Sequence, residues 1–449
     1  MFTIPKGSQI TVQQIKDAIA YNEDLRKTYE YLDRYYLGEH DILKRKKKGT
    51  KINSKLVTNL CKYISDINVG YLLGNPVEYQ VRLTNSNGDP VYDITTVLDQ
   101  YKKQSIADED HIVEQGCSIF GNQYEYTYAY GNDVHSKKLD NRNCILIHDD
   151  TMEHEKLYGI IYDIEVKSDK TVKYLDVMVI DKDKIVQYAT KEGTLVAGEE
   201  KQHFFGEVPI VEFVNNDDKL GDFEQIIPLQ DGYNLLQSDR LNDKEQLVDA
   251  ILTIYGADLT PEQVTSLKDS RVLADLPKDS KVEYLVKMLN ENEVDVLRQV
   301  LEQDIHKISM TPNLSDENFV GNSSGVAIRY KLLAFEQSIK NKERYFEKAL
   351  LERFRLYNNY FVKMKKMQEV PIYEIDVIFK RNLPQNDFET SQMILNLDGK
   401  VDSETLLGQL SFIRNAKESI EAVEKENRNN LNLESINFGE EEPNPVEEE

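Results

Sequence analysis

A long amphipathic helix in the last third of the chain places the strongest constraint on the fold. Between residues 326 and 367, apolar side chains recur every three or four positions, which is the period of an α-helix. The stripe consists of Ile328, Leu332, Phe335, Ile339, Phe346, Leu350, Phe354, Tyr357, Phe361 and Met364. At ~1.5 Å per residue this helix spans ~60 Å, more than most single domains need. We therefore expect it to bridge regions or to pack within an assembly.

The remaining periodicity predicts an α+β fold with more than one structural region, as expected for 449 residues. Further helices are predicted over 10–37, 55–73, 92–117, 226–251, 294–309 and 387–428. Strands are predicted over 77–83, 123–130, 143–147, 158–165, 173–180, 184–188, 209–214, 251–255, 282–286 and 373–379. The acidic tail, 439–449, is expected to be disordered.

The charge balance limits how this chain can interact with nucleic acid. It carries 79 acidic and 55 basic residues, a formal net charge of −24. A protein that reads DNA sequence usually has a basic surface that neutralises phosphates, so this class is excluded unless the basic residues are segregated. The basic run at 44–48 has two interpretations: a solvated loop, or a contact for DNA or an acidic partner.

Cysteine content and hydropathy indicate the compartment. The three cysteines, Cys61, Cys117 and Cys144, are too few and too scattered for a disulfide framework or a structural zinc site. The chain start lacks the apolar core of a signal peptide, and no run approaches the ~18 apolar residues of a membrane-spanning helix. We expect a soluble protein made in a cytoplasm, with no membrane partner.

The motifs of common enzymes do not occur in this sequence. No GxxxxGK motif followed by Ser or Thr is present, since Gly399-Lys400 lacks a glycine five residues earlier. The GxGxxG, GxSxG and HExxH patterns do not occur in a suitable context either. We therefore predict that the chain is not an enzyme, requires no cofactor and does not hydrolyse ATP itself.

One acidic cluster is a weak candidate for a metal site. His148, Asp149, Asp150 and His154 combine imidazoles and carboxylates, which suit divalent metals. They fall at a strand end and a turn, where the side chains need not converge, so a solvated turn is the alternative. The isolated histidines, among them His40, are expected to be structural or exposed.

The polar stretch before the long helix also has two interpretations. Residues 321–325 open the helix and could bind an anion through backbone N–H groups, although Asp316 and Glu317 oppose this. The alternative is an ordinary helix entry with Ser323 or Ser324 as the N-cap.

Several local motifs occur in a fixed order over about three hundred residues. They are 35–38 (YYLG) before the basic run, 59–64 (NLCKYI) with 70–76 (GYLLGNP), 208–213 (VPIVEF) with 215–216, 227–234 (IPLQDGYN) with 238–243 (SDRLND), and 319–327 (FVGNSSGVA) with 331–332. In sequence and order, these blocks resemble the portal proteins of tailed bacteriophages, in particular the Bacillus siphophage-type family. Each block alone is modest, but their order is hard to explain otherwise.

The resemblance implies a portal architecture with five parts: wing, helical stem, small α/β clip, long bridging helix and α-helical crown. The implied boundaries are wing 1–225, first stem helix 226–250, clip 251–289, second stem helix 290–309, tunnel loop 310–325, long wing helix and strand 326–385, and crown 386–438, followed by the tail. The packaging motor would dock at the clip.

The resemblance also implies functional residues. Asp316, Glu317, Asn318, Phe319, Val320, Gly321, Asn322, Ser323 and Ser324 would form a tunnel loop that faces DNA. Asp231, Tyr233, Asn234, Ser238, Asp239 and Asp243 would belong to the stem.

The partners implied by the resemblance are those of a virion subunit. They are other copies of the chain in a ring, expected to be a dodecamer, double-stranded DNA bound non-specifically, the terminase large subunit, the major capsid and scaffolding proteins, and a head-completion or adaptor protein. The chain would be made in the host bacterial cytoplasm and would lie at one capsid vertex. Two other hypotheses remain open: a metal-dependent hydrolase that uses the acidic cluster, and a soluble scaffold that binds proteins through its long helix and acidic tail.

Overall fold

The structure is a computed structural model that describes most of the chain. The described residues are 1–46, 52–86, 88–166, 172–191, 194–248, 251–256, 260–261, 265, 280–285, 291–315, 330–381, 387–410, 413, 416–417 and 419–425. Those up to 381 form one compact unit, and those from 387 onward belong to a second unit. Among these residues, no helix is both long and apolar enough to cross a membrane.

Helices and strands are mixed along the chain, which confirms the predicted α+β class. The helices are α1 (Val12–Tyr36), α2 (Leu60–Leu73), α3 (Thr95–Lys103), α4 (Ile106–Phe120), α5 (Ile227–Val248), α6 (Glu291–Ile308), α7 (Leu333–Lys363), α8 (Asp387–Leu397) and α9 (Ser403–Leu407). Helix α1 begins at Val12 because Thr11 and Gln14 form a capping box. Helices α8 and α9 lie in the second unit and contact each other.

The strands form one large sheet and three small ones. The strands are β1 (Phe2–Ile4), β2 (Glu78–Val81), β3 (Asn122–Tyr130), β4 (Asp133–Lys138), β5 (Cys144–Asp149), β6 (Lys156–Val166), β7 (Val172–Ile180), β8 (Lys184–Lys191), β9 (Thr194–Gln202), β10 (Ile210–Val214), β11 (Ile251–Tyr255), β12 (Lys281–Leu285) and β13 (Ile375–Ile378). The large sheet has the order β1-β5-β6-β7-β8-β9, and the small sheets are β10-β3-β4, β11-β12 and β13-β2. Only β1, beside β5, pairs in parallel among these described strands.

Two helices cover the main cores. Helix α1 buries Ile15, Ala18 and Ile19 against the large sheet. Helix α7 carries the predicted apolar stripe, and its side chains from Phe335 to Phe361 are buried in a separate core with α2, α3 and α4. The stripe is therefore confirmed over the described residues, with Met364 partly exposed at its end.

The end of α4 packs closely against the segment between β10 and α5. Gly121 ends α4 with a φ of +83°, and a Cβ at this position would lie 1.9 Å from the Lys219 carbonyl oxygen. Only glycine permits this approach. The backbone N–H of Asn215 donates to the Gly121 carbonyl at 2.9 Å, so the end of α4 is fixed against the segment that leads into α5.

Two buried cations join α7 to α4 and its neighbours. The ammonium group of Lys342 lies 3.2 Å from Glu114 and 2.6 Å from Asp222. The guanidinium group of Arg353 lies 2.6 Å from Asp110 and 3.1 Å from Glu125. All six side chains are at least 90% buried. Each buried cation therefore faces two carboxyl groups.

Two predicted helices differ from the structure. The helix predicted over 92–117 is broken into α3 and α4 at Ser105, which has a φ of +52°. The helix predicted over 55–73 begins only at Leu60, and the residues before it are extended. The cause of the second difference lies in contacts with α5.

Candidate functional site

Helices α5 and α6 lie side by side in opposite directions. Arg240 of α5 lies 3.7 Å from Asp295 near the start of α6. At the other end, Ile227 of α5 packs in one cluster with Ile305 of α6 and with residues of α1 and α2. Strands β11 and β12 belong to the connection between the two helices.

A row of polar side chains occupies one face of α5. Gln230, Asn234, Ser238 and Asn242 are each at most 1% exposed. They are four residues apart, so they stack along the helix at steps of ~6 Å. Buried polar groups require hydrogen-bond partners, and we call this row the ladder.

The partner of the ladder is an extended segment, residues 52–59, which we call the strap. The ladder oxygens accept hydrogen bonds from alternate backbone N–H groups of this part of the chain. The pairs are Ser54 N to Asn242 Oδ1 at 2.7 Å, Leu56 N to Ser238 Oγ at 2.9 Å, Thr58 N to Asn234 Oδ1 at 2.9 Å, and Leu60 N to Gln230 Oε1 at 3.1 Å. Two extended residues advance about 6.6 Å, which nearly matches four helical residues at about 6 Å.

Neighbouring side chains hold the beginning of the strap region against α5. Arg45, which precedes the strap, donates to Asp239 of α5 at 2.6 Å. The amide of Asn242 also donates to Asp239, at 3.2 Å. The described part of the basic run therefore contacts α5 through Arg45, whereas residues 47–51 lie outside the described residues.

The predicted stem residues lie on the same helix but in different environments. Asn234 and Ser238 belong to the ladder, Asp239 pairs with Arg45, and Asp243 is half-buried. Tyr233 is buried in the cluster that α5 shares with α6.

Asp231 is paired with a tyrosine. Both of its carboxylate oxygens accept from the Tyr35 hydroxyl, each at 2.9 Å. Burial raises the pKa of Asp231, and the hydrogen bond from Tyr35 partly offsets this rise.

Several apolar side chains of the helix pair remain exposed in the single chain. They are Leu235 and Leu241 of α5 and Val296, Leu297, Val300 and Ile308 of α6. By contrast, Ile226 and Tyr233 are buried within the chain, because α1, α2 and α6 cover them. An exposed apolar patch on a helix pair is typical of a protein contact surface.

Comparison with known proteins identifies the family. A family model described as "Phage portal protein, SPP1 Gp6-like" matches residues 15–432. The chain belongs to this phage portal protein family. The family predicted from the local motifs is thereby confirmed.

Two portal proteins are similar to this chain over most of their length. The portal protein of Bacillus phage SPP1 is 21% identical over 426 residues, covering 88% of this chain and 82% of that protein. The portal protein of Clostridium phage phiCD119 is 22% identical over 444 residues, covering 91% of this chain and 94% of that protein.

In this portal family member the acidic cluster forms a turn. The carboxylate of Asp149 accepts from the Thr151 hydroxyl at 2.8 Å and from the Glu155 N–H at 3.1 Å, and Lys6 lies 3.7 Å away. Burial lowers the pKa of His148 to about 4. Within the described ranges, no three His, Cys, Asp or Glu side chains are placed to hold a metal ion. The candidate set His148, Asp149, Asp150 and His154 therefore receives no geometric support as a metal site.

Other predicted portal residues lie outside the described part of the chain. These are all the tunnel-loop residues: Asp316, Glu317, Asn318, Phe319, Val320, Gly321, Asn322, Ser323 and Ser324. Much of the predicted clip, including 266–279, also lies outside it, and β11 and β12 are its described strands.

Sequence reasoning missed some of the residues that build this site. Gln230 and Asn242 complete the ladder on either side of Asn234 and Ser238. Their signal is present in the sequence as a polar row with a spacing of four on a predicted helix. The contribution of Tyr35 had no such signal, because it is 196 residues from Asp231.

Proposed function

We propose that the chain is a subunit of a portal ring at one capsid vertex, through which double-stranded DNA passes during packaging and ejection. The observation that carries this proposal is the family match over residues 15–432. The similar proteins of two phages are both named portal proteins. A virion location follows from the same proposal.

The parts of the proposed portal follow the chain order. The wing would comprise 1–225 with the long helix and strand of 326–385. Helices α5 and α6 would form the stem, within 226–250 and 290–309, and the β11–β12 hairpin would belong to the clip at 251–289. The tunnel loop would lie within 310–325, and the crown within 386–438. The pairing of α5 with α6 and the hairpin between them support this division.

The occupant we propose for the exposed apolar patch is a second copy of the chain. Val296, Leu297 and Val300 lie close together along α6 and face solvent in the single chain. A ring closes through one heterologous interface repeated around an axis, so each copy would cover the patch of its neighbour. We expect twelve copies in the virion, from the resemblance to the portal family.

The excess of acidic over basic residues is suited to a channel through which DNA moves. A protein that makes 6–10 phosphate contacts gains orders of magnitude in DNA affinity, and such binding would stall movement of the duplex. A net charge of −24 per subunit instead repels the duplex from the walls. Asp316 and Glu317, repeated around a ring, would place like charges near DNA and would need solvent or ions around them.

The proposed subunit performs no chemistry of its own. Since the sequence has no phosphate-binding loop motif, ATP hydrolysis would belong to a partner, the terminase large subunit, docked at the clip. The major capsid and scaffolding proteins and a head-completion protein would be its other partners.

A charged substitution in the exposed apolar patch of α6 tests the proposed assembly. We expect Val300→Glu to produce single subunits in analytical ultracentrifugation, because a carboxylate buried between copies has no partner. Val91→Glu is the matched control, since Val91 is 49% exposed and Val300 is 45% exposed. Val91→Glu should assemble like the unaltered chain, and both variants should keep its melting temperature. Assembly of Val300→Glu to the same size as the control would contradict the proposed interface.

A further inference from the structure

The strap is held mainly by polar contacts. Lys55 and Leu56 are exposed, and Leu56 keeps 40% of its surface accessible. Little apolar burial therefore ties this segment to the protein. Its attachment depends on the hydrogen bonds from its backbone N–H groups to the ladder.

The donors and acceptors around Asn234 allow one orientation of its amide. Its oxygen accepts from the Thr58 N–H at 2.9 Å and from Nε2 of Gln230 at 3.0 Å. The orientation of Gln230 is itself set, because its Nε2 donates to the Thr58 carbonyl at 2.7 Å and its oxygen accepts from the Leu60 N–H. The amide nitrogen of Asn234 must therefore point away from the strap, toward His40.

His40 receives this amide as an acceptor. Its Nδ1 lies 2.7 Å from Nδ2 of Asn234, and its Nε2 lies 2.9 Å from the Tyr35 carbonyl oxygen. A carbonyl can only accept, so Nε2 carries the proton and Nδ1 presents a lone pair. The ring is fully buried and stacks on Tyr35 at a centroid distance of 4.7 Å. The ladder therefore requires a neutral His40 in a single tautomer.

We propose that His40 is a proton-sensitive latch that holds the strap on α5. A second proton on the ring would place an N–H at Nδ1, opposite the N–H of Asn234. Rotation of the Asn234 amide would separate these two N–H groups. It would, however, turn the Asn234 NH₂ group toward the Thr58 N–H and the Gln230 NH₂. Either arrangement loses a central hydrogen bond of the ladder, so protonation loosens the strap while the apolar cores of the unit remain packed.

The charged groups around His40 and its burial have opposite effects on its pKa. Asp231 of α5 and Asp41, which follows His40, favour the protonated ring, and Asn59 of the strap lies close to it. Asp41 is itself paired with Arg34 of α1 at 2.8 Å. Burial is the largest influence, and it lowers the pKa of His40. The latch is therefore closed at neutral pH and opens on acidification.

Hydrogen exchange of the full chain, read by mass spectrometry, tests the latch. After correction for intrinsic rates, peptides covering 52–60 should exchange roughly tenfold faster at about pH 5 than at about pH 7.5. Peptides from α7 should keep their protection. In His40→Asn, the side-chain oxygen can still accept from Asn234 but does not titrate, so the strap peptides should lose this pH response.

Two further variants serve as controls for the hydrogen-exchange measurement. His203→Asn changes a partly buried histidine that contacts the Asp181 carbonyl rather than the ladder, so the strap of this variant should respond to pH like that of the unaltered chain. His40→Gln lacks the acceptor at the Nδ1 position, so its strap should exchange faster at both pH values. An equal pH response in His40→Asn and the unaltered chain would overturn the proposal. Equal protection of the strap peptides of the unaltered chain at both pH values would also overturn it. The same holds for loss of protection throughout the chain in all variants.

Discussion

At the scale of single residues, the buried ion pairs of α7 contain more acid than base. Lys342 faces Glu114 and Asp222, and Arg353 faces Asp110 and Glu125. Burial raises the pKa of Glu114 and of Glu125 to about 7, although the nearby cations oppose the rise. Leaving both carboxylates of a set charged would bury an unbalanced charge, which is costly. Glu114 and Glu125 are therefore each partly protonated near neutral pH.

This arrangement makes the stability of the unit depend on pH. The folded pKa of Glu125 is above the unfolded value of 4.5, so folding favours its neutral form. The free energy of unfolding should fall as pH rises from about 4.5 to about 7, by up to about 3 kcal/mol from this residue. Glu125→Gln is neutral at every pH and should be more stable than the unaltered chain at about pH 8. Urea unfolding at a series of pH values measures the difference.

The exposed carboxyl of Glu30 provides the control for this measurement. Glu30 lies on α1 with about half of its side chain accessible. Glu30→Gln should keep the pH dependence of the unaltered chain. A Glu125→Gln variant whose stability decreases over the same pH range by the same amount would show that Glu125 does not take up the proton that causes this pH dependence.

At the scale of elements, the sequence predicts those helices and strands that are determined by the local spacing of apolar residues. The apolar stripe of α7 and the strands β11 and β12 appear where their patterns indicate them. Residues 55–59 of the strap were wrongly predicted as helix, because the strap N–H groups are bound by α5 side chains about 180 residues away in sequence, for example 176 residues for Thr58. Strand β4 was missed because it has little apolar alternation, and pairing with β3 defines it.

The site shows the same division between local and distant information. Asn234 and Ser238 were identified from motifs of the portal family. Gln230 and Asn242 lie in the same motifs, and their spacing of four from Asn234 and Ser238 is what assigns them to the ladder. His40 could be expected to be structural, but its contact with Asn234, 194 residues away, depends on how α1 packs against α5.

The proposed tunnel loop is the segment whose removal should separate assembly from transport. We predict that deletion of residues 316–322 leaves ring assembly intact but impairs DNA packaging or DNA retention. Sedimentation of the purified variant measures assembly, and protection of packaged DNA from nuclease measures transport. Loss of assembly itself would contradict the assignment of these residues to the loop.

At the scale of the whole molecule, the net charge and the exposed apolar residues of α6 both support the proposed role. A net charge of −24 argues against a protein that grips DNA tightly and is suited to one along which DNA slides. The exposed apolar residues of α6 are suited to contacts between copies rather than to a single chain in solution. A protein-binding scaffold would share the long helix α7, but it would not require a closed ring.

Negative-stain imaging of the purified full chain tests the proposed portal ring most directly. We predict closed rings with an axial channel, whose number of copies outside a capsid can vary. A monodisperse monomer under every ionic condition tested would contradict the account.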